Sequence, residues 1–105
     1  MPEFVNPFSG VVPARKLTMA ELIRALRLNL AAEEEAVHVY EAHADATDNE
    51  LAARVLRDIA DEERVHAGEF QRLLNILLPD EARLLADGAR EVDEMREELG
   101  ETGIA

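Results

Sequence analysis

Apolar residues recur every three or four positions along two long stretches of the chain. Successive residues turn by about 100° around an α-helix, so this spacing gathers them on one face. The first stripe contains Met19, Leu22, Ile23, Leu26, Leu30, Val37, Tyr40 and Ala44. The second contains Ala52, Val55, Leu56, Ile59, Phe70, Leu73, Leu74 and Leu77. The pattern predicts two amphipathic helices, over residues 19–44 and 49–77.

Capping residues support the start of each of these helices. Thr18 can cap the first helix, and Glu21 lies three residues later, where it completes a capping box. Thr47 or Asp48 can cap the second helix in the same way. Only a short connection separates the two helices, so they are expected to pack side by side as an antiparallel hairpin.

A third helix is predicted from Pro79, which suits a first helical turn, to about Leu99. Gly100 is a natural stop for it, and Gly88 is a position where it could kink or weaken. Its apolar seam consists of Leu85, Gly88, Val92, Met95 and Leu99. No pattern typical of a strand occurs, so the predicted fold is all-α, a two-helix hairpin plus a C-terminal helix.

Residues 1–17 differ from the rest of the chain because they contain three of its four prolines. Proline fixes φ and disfavours helix at the preceding residue, which predicts an extended N-terminal arm. Phe4 and Phe8 are two of the three phenylalanines, which indicates that the arm docks on another surface, although a flexible tail is the alternative. Residues 18–105 are predicted to form one helical domain.

Polar residues interrupt both apolar stripes near their middles. Glu33 lies in the first stripe, and Glu63 and His66 lie in the second. A buried carboxylate needs a partner, and a metal ion that all three residues bind would supply one. The alternative is a polar helix edge satisfied by arginines such as Arg64 or Arg27. A second Glu-x-x-His, Glu35 to His38, lies away from the stripe and is interpreted as a solvated face.

Charge and composition narrow the classes of partner. There are 23 acidic and 11 basic residues, a net charge of −12, which attracts cations and disfavours nucleic acid and anionic membranes. There is no cysteine, which excludes disulfides and thiolate metal sites. No apolar run approaches the roughly 18 residues of a membrane span, and no signal peptide is recognised, so a cytoplasmic location is expected.

The candidate ligands amount to half of a di-iron site. Carboxylate-bridged di-iron bundles use one glutamate from each of two helices and Glu-x-x-His from each of the other two. Two copies of this chain related by a twofold axis would supply that set, which predicts a homodimer forming a ferritin-like four-helix bundle. A second apolar patch on the first helix, Leu28, Ala32, Ala36 and Val39, predicts a further contact.

The stretch AAEEEAVHVYEAHADATDNELAARVLRDIADEERVHAGEFQRLL resembles the encapsulated ferritins, and the similarity covers about residues 18–78, with the third helix matching more loosely. It looks closest to the branch fused to the encapsulin shell protein. The resemblance implies that Glu33, Tyr40, Glu63 and His66 build a di-iron (Fe) centre at a dimer interface. It also implies a decameric ring that oxidises ferrous iron inside an encapsulin shell.

Two positions depart from the pattern of that family. Ala32 stands where many members have an acidic residue on the path by which iron enters, which leaves Glu35 as a secondary metal ligand. Val39 stands where many have an aromatic residue before the tyrosine. Tyr40 would hydrogen-bond a ligand carboxylate or relay electrons, and an ordinary half-buried tyrosine is the alternative.

The expected function is therefore a ferroxidase for iron storage within an encapsulin nanocompartment. Oxygen-rich ligation with one imidazole per metal suits iron or manganese, with inert zinc as the alternative metal. Two other functions remain open at this point. One is a rubrerythrin-like peroxidase at a similar centre, and the other is a non-catalytic helical cargo or assembly protein.

Overall fold

The computed structural model describes residue 12 and residues 14–101, and these residues form three helices without any strand. Helix α1 spans Met19–Asp45, α2 spans Glu50–Leu77 and α3 spans Pro79–Glu98. The predicted all-α fold is confirmed, and each predicted helix boundary lies within one residue of the observed one. None of the described helices is both long and apolar enough to cross a membrane. Most of the predicted arm, with Phe4 and Phe8, lies outside the described residues.

The start of α1 is fixed by the predicted capping box. The Thr18 hydroxyl accepts a hydrogen bond from the Glu21 amide at 3.2 Å, and the Thr18 amide donates to Glu21 Oε1 at 2.9 Å. Arg15 extends the box, because its guanidinium donates to both Glu21 oxygens at 2.7 and 2.8 Å. These hydrogen bonds lower the pKa of Glu21 to about 2. Those from Arg15 have the largest effect, and the one from the Thr18 amide has the next largest.

This network predicts a pH-dependent stability. Because the pKa of Glu21 lies below its ordinary value of 4.5 when folded, its ionised form stabilises the fold above that pH. The contribution is lost as the pH falls from 4.5 toward 2. We expect Glu21→Gln to lower the melting temperature at pH 7, and the difference from wild type to shrink at pH 3. Thermal circular dichroism measures this, with Glu69→Gln as the control, and a pH-independent difference would contradict it.

The observed N-cap of α2 differs from the predicted one. Neither Thr47 nor Asp48 caps the helix; Asn49 does, because its Oδ1 accepts a hydrogen bond from the Ala52 amide at 2.9 Å. Thr47 instead accepts from the Asn49 amide at 3.2 Å, in the turn before the helix. A capping side chain must reach the amide two or three residues later, and with the helix beginning at Glu50 only position 49 satisfies this.

The ends of α3 follow the predicted signals. Pro79 occupies its first turn, and the helix continues without interruption through Gly88. Gly100 has a φ of 77°, a left-handed conformation that glycine adopts without strain. The Gly100 amide donates to the Glu97 carbonyl and the Glu101 amide to the Arg96 carbonyl, each at 2.9 Å. This pair of bonds is a Schellman motif, which closes the helix.

The chain divides into two compact units, residues 1–74 and 75–105. The first holds α1 and nearly all of α2, and the contacts between these helices confirm the antiparallel hairpin. Moving away from the connecting turn, the polar side chains in contact across the hairpin are Asp45 with Arg57, Glu41 with Arg64, and Glu33 with His66. Position numbers fall along α1 as they rise along α2, which is the order that two antiparallel helices require.

The fully buried residues of the described hairpin, which form the centre of its seam, are Leu26, Ala44, Ala53, Ala60 and Leu74. Three of these five are alanines. Alanine at such positions lets two helices approach closely. The other members of both stripes are at best half-buried, and some, such as Val55 at 48% and Leu73 at 40%, are exposed. A hairpin therefore leaves part of its apolar surface for another partner.

The second unit contains the last residues of α2 and all of α3, and no residue of α3 is buried. The apolar side chains predicted to form a seam are exposed, at 52% for Leu85, 55% for Val92, 56% for Met95 and 79% for Leu99. The seam is thus present as a continuous apolar line on the surface of α3.

Candidate metal centre

Three of the residues singled out in the sequence converge in the hairpin. Glu33 comes from α1, and Glu63 and His66 come from consecutive turns of α2. One ligand atom from each lies within 4.8 Å of the other two. His66 Nδ1 is 3.4 Å from a Glu63 oxygen and 3.6 Å from a Glu33 oxygen. The arrangement is the one that the phases of the two stripes predict.

These separations leave room for a shared cation. Strong charge-assisted hydrogen bonds from nitrogen to a carboxylate are about 2.7–2.9 Å long, and both imidazole distances exceed that range. The imidazole and the two carboxylates therefore face one another at close range without a short bond between them. Two carboxylates and one imidazole are an oxygen-rich donor set of the kind that binds iron or manganese.

The cluster is sheltered on one side and open on the other. The carboxylate side chains of Glu33 and Glu63 are 22% and 19% exposed, whereas the imidazole of His66 is 48% exposed. On α2 the exposed residues Val55 and Leu73 lie within about 20° of His66 around the helix axis. The open side of the cluster therefore coincides with the uncovered part of the apolar stripe.

Arg64, one of the arginines considered as a structural partner of the half-buried Glu33 and Glu63, pairs with other acids. Its Nη1 donates to Asp61 at 2.8 Å, and its Nη2 donates to Glu41 on the other helix. Sequence reasoning did not identify Glu41. Its role could be found in the sequence only from its position around the helix. That position places Glu41 at one edge of the seam, within reach of a long side chain from α2.

Tyr40 and Glu35 lie outside the three-residue cluster. Both line a shallow depression of about 350 Å³ on α1, together with Ala32, Ala36 and Val39. Tyr40 is half-buried and Glu35 is exposed. The depression thus contains three of the four residues of the predicted second apolar patch on α1.

The second Glu-x-x-His motif is placed as its phase predicts. Glu35 and His38 are both exposed, and neither joins the group of potential metal ligands found among the described residues. Motif spacing alone therefore does not select the site. The motif in α2 differs because a third donor, Glu33, faces it from the neighbouring helix.

Residues 11–101 match a family model described as Rubrerythrin. The chain belongs to this family. It is also 44% identical to the encapsulin nanocompartment cargo protein EncC of Myxococcus xanthus, with the match covering all of this chain and 85% of that protein. A ferritin-like–encapsulin shell fusion protein of Pyrococcus furiosus is 40% identical over 74% of this chain, which spans only 23% of the fusion protein.

Among solved structures, the chain is similar to the encapsulated ferritin domain from Pyrococcus furiosus. The two share 36% sequence identity with a TM-score of 0.76, over 87% of this chain and 92% of that one. This similarity agrees with the all-α architecture. Together with the two curated relatives, it confirms the resemblance to the encapsulated ferritins that the sequence carries.

Proposed function

We propose that this protein is a ferroxidase, which oxidises ferrous to ferric iron at a di-iron centre formed between two copies of the chain. The observation that carries the proposal is the convergence of Glu33, Glu63 and His66 within 4.8 Å. Membership of the rubrerythrin family supports a ferritin-like, iron-related role. The exposed glutamates that are common on acidic helices do not bring an imidazole and two carboxylates from two helices to one point.

A second copy would complete the centre. One chain offers two carboxylates and one imidazole, which is half the set of a di-iron bundle site. His66 is exposed beside Val55 and Leu73, so a partner that covers this apolar surface would also cover the open side of the cluster. A twofold axis there would add the partner's equivalent glutamates and histidine and would complete a ferritin-like four-helix bundle.

The chain's own residues have defined tasks in this reaction. Ferrous iron is the substrate: two bound ions would each give up one electron, and these electrons with two protons would reduce one dioxygen to hydrogen peroxide. Glu33 and Glu63 would provide the negative charge that holds the ions. His66 must be neutral to act as a ligand, so metal affinity falls at acid pH. Tyr40, on the face of α1 that carries Glu33, would hydrogen-bond a ligand carboxylate or relay electrons, and Glu35 would serve as a secondary ligand during iron uptake.

The proposed setting is the interior of an encapsulin shell in the cytoplasm. One relative is named as an encapsulin cargo protein and another as a fusion to a shell protein. We propose that the dimers assemble into a ring, as a decamer, and that neither nucleic acid nor membrane is a partner. The uncovered patch on α1 and the exposed seam of α3 offer the additional contacts that a ring requires.

Iron retention gives a direct prediction for this setting. A ring of small subunits has no closed cavity, so purified protein without a shell should oxidise iron repeatedly and then release or precipitate the ferric product at high loading. Iron analysis of the soluble and pelleted fractions after stepwise loading measures this. Soluble retention of a large mineral core by the protein alone would contradict the proposal.

A peroxidase is the second candidate, because the matching family model is that of rubrerythrin. Anaerobic protein loaded with ferrous iron and then mixed with either dioxygen or hydrogen peroxide separates the two. A ferroxidase oxidises bound iron rapidly with dioxygen, whereas a peroxidase prefers peroxide. Protein that binds no iron under these conditions would instead be a non-catalytic cargo or assembly protein.

A further inference from the structure

We infer that Arg64 is a positioning residue, which sets the register of α1 against α2 by holding Glu41 and thereby keeps Glu33 opposite Glu63 and His66. The inference rests on the proposed function only in its final step, the use of that register by a bound metal. It concerns a group that touches neither the metal nor any of its three candidate ligands in the described contacts.

The inference rests on the guanidinium of Arg64, which binds two carboxylates at once. Arg64 donates through Nη1 to Asp61 on its own helix and through Nη2 to Glu41 on the other. The bond to Asp61, one turn earlier, fixes the direction of the guanidinium, and the bond to Glu41 ties α2 to α1. Arginine suits this task because its donors stand in a rigid planar arrangement.

The two side chains are also aimed at each other by helix geometry. Every Cα–Cβ bond leans toward the N-terminus of its own helix, so side chains on antiparallel helices lean in opposite directions. Arg64 leans toward the turn that joins the helices, and Glu41 leans away from it. They therefore meet although their backbones are offset along the hairpin. Arg64 directly follows Glu63, so this contact lies next to the ligands along α2.

The composition of the seam explains why such a clamp is needed. Among the described residues, three of the five that are fully buried are alanines, and Ala60 has no exposed surface. Small residues permit close approach but present shallow ridges, so they resist sliding less than large interdigitating side chains do. A slip by one residue moves a helix by about 1.5 Å, which exceeds the tolerance of about 0.5 Å within which a binding site must hold its groups.

The test exploits two effects of opposite sign. Taken by itself, removal of the positive charge of Arg64 should strengthen metal binding, because it removes the Coulomb repulsion between the guanidinium and the metal ion. Loss of register should weaken it. We expect Arg64→Gln to raise the dissociation constant for Co²⁺ about fivefold, the size expected for loss of an ion-pair clamp of this exposure. The measurement is titration of the full chain, followed by the visible absorption of Co²⁺, whose band should also change shape as the ligand geometry loosens.

The matched control is Arg57→Gln. Arg57 makes another arginine–carboxylate pair across the hairpin, 3.2 Å to Asp45, at a similar side-chain exposure of 56% against 51% for Arg64. It lies nearly two turns from Glu63. We expect this variant to lose a comparable small amount of thermal stability while binding Co²⁺ with wild-type affinity and spectrum.

A charge-neutral variant removes the remaining ambiguity. Arg64→Gln combined with Glu41→Gln keeps the net charge of the wild type, so an electrostatic effect would vanish while the positioning effect would persist. We expect the double variant to bind Co²⁺ at least as weakly as Arg64→Gln alone, because it lacks the electrostatic gain that partly offsets the loss of register in the single variant. Circular dichroism of each variant verifies that the helices are retained.

The outcomes separate the inference from the proposed function. If the wild type fails to bind Co²⁺ or iron, the proposed function fails. If the wild type binds but Arg64→Gln binds equally well or more tightly, or if Arg57→Gln weakens binding as much, the positioning role of Arg64 is overturned while the metal centre stands.

Discussion

Replacing His66 by alanine is expected to abolish oxygen-dependent oxidation of ferrous iron. In the proposed dimer each copy contributes one His66, so a single substitution removes an imidazole from both metals. Loss of residues that only support metal ligands typically costs about 10–100-fold, and loss of a ligand itself should cost on the order of a hundredfold or more. Glu63→Ala should have the same effect, since Glu63 lies 3.4 Å from His66 and belongs to the same cluster. Stopped-flow absorbance after mixing ferrous protein with dioxygen measures the rate.

The chain supplies its own control for this experiment. His38 follows Glu35 with the same Glu-x-x-His spacing on α1, but both residues are exposed and lie outside the cluster. His38→Ala should leave the rate unchanged, and Glu35→Ala should slow it only modestly. Wild-type oxidation by the His66→Ala variant would show that the assignment of the site is wrong. Equal losses in the His38 and His66 variants would point to a general effect on folding.

The helices could be predicted from the sequence because their signals are local. A period of 3.6 residues, a capping box at Thr18 and a glycine at position 100 each act over a few neighbouring residues. The prediction of the N-cap of α2 is wrong because its local signals are ambiguous. Thr47, Asp48 and Asn49 are three consecutive residues that all cap helices well, and sequence preference does not choose among them. The observed bond from Ala52 to Asn49 depends on the turn in which the chain enters the helix.

The cluster itself could be predicted because each residue adds about 100° of rotation around the helix axis, so sequence spacing fixes which side chains share a face. Glu33, Glu63 and His66 each fall inside an apolar stripe, so two facing helices bring them together whatever the details of packing. The partners of Arg64 could not be predicted in this way. A long side chain with several rotatable bonds can reach acids on either helix, and only the offset between α1 and α2 selects Glu41. Register between helices is a tertiary quantity that depends on which seam residues are buried, here mostly alanines.

Binding of ferrous iron is expected to drive association of the chains. A ligand that binds only the assembled state stabilises it by about 2.7 kcal/mol when its concentration is a hundred times its dissociation constant. Sedimentation velocity should therefore show a shift from monomer or dimer toward the larger ring when ferrous iron is added under anaerobic conditions. Cobalt is an oxygen-stable probe for the same shift. Magnesium at equal ionic strength is the control, because it dehydrates reluctantly and should shift the population much less.

The negative charge of the site should also affect association of the chains in the absence of metal. In the proposed dimer, Glu33 and Glu63 from both copies bring four carboxylates together, and without metal their repulsion opposes association. Glu33→Gln combined with Glu63→Gln removes that repulsion at similar volume and also removes the ligands. We expect this variant to associate more readily than the wild type without metal and to lose most of the response to cobalt. The variant Glu34→Gln with Glu69→Gln removes one exposed acid from each helix instead, and it should respond as the wild type does.

The dependence on metal follows from where the cluster opens. His66 is nearly half exposed and lies beside the uncovered apolar residues Val55 and Leu73, so the surface that would bury the apolar side chains is the surface that would close the site. Metal binding and dimer formation should then be reciprocal, each strengthening the other by the same factor. Cobalt affinity should accordingly rise with protein concentration across the range in which dimers form. A monomer that binds two metal ions within one chain, with an affinity independent of protein concentration, would contradict the half-site.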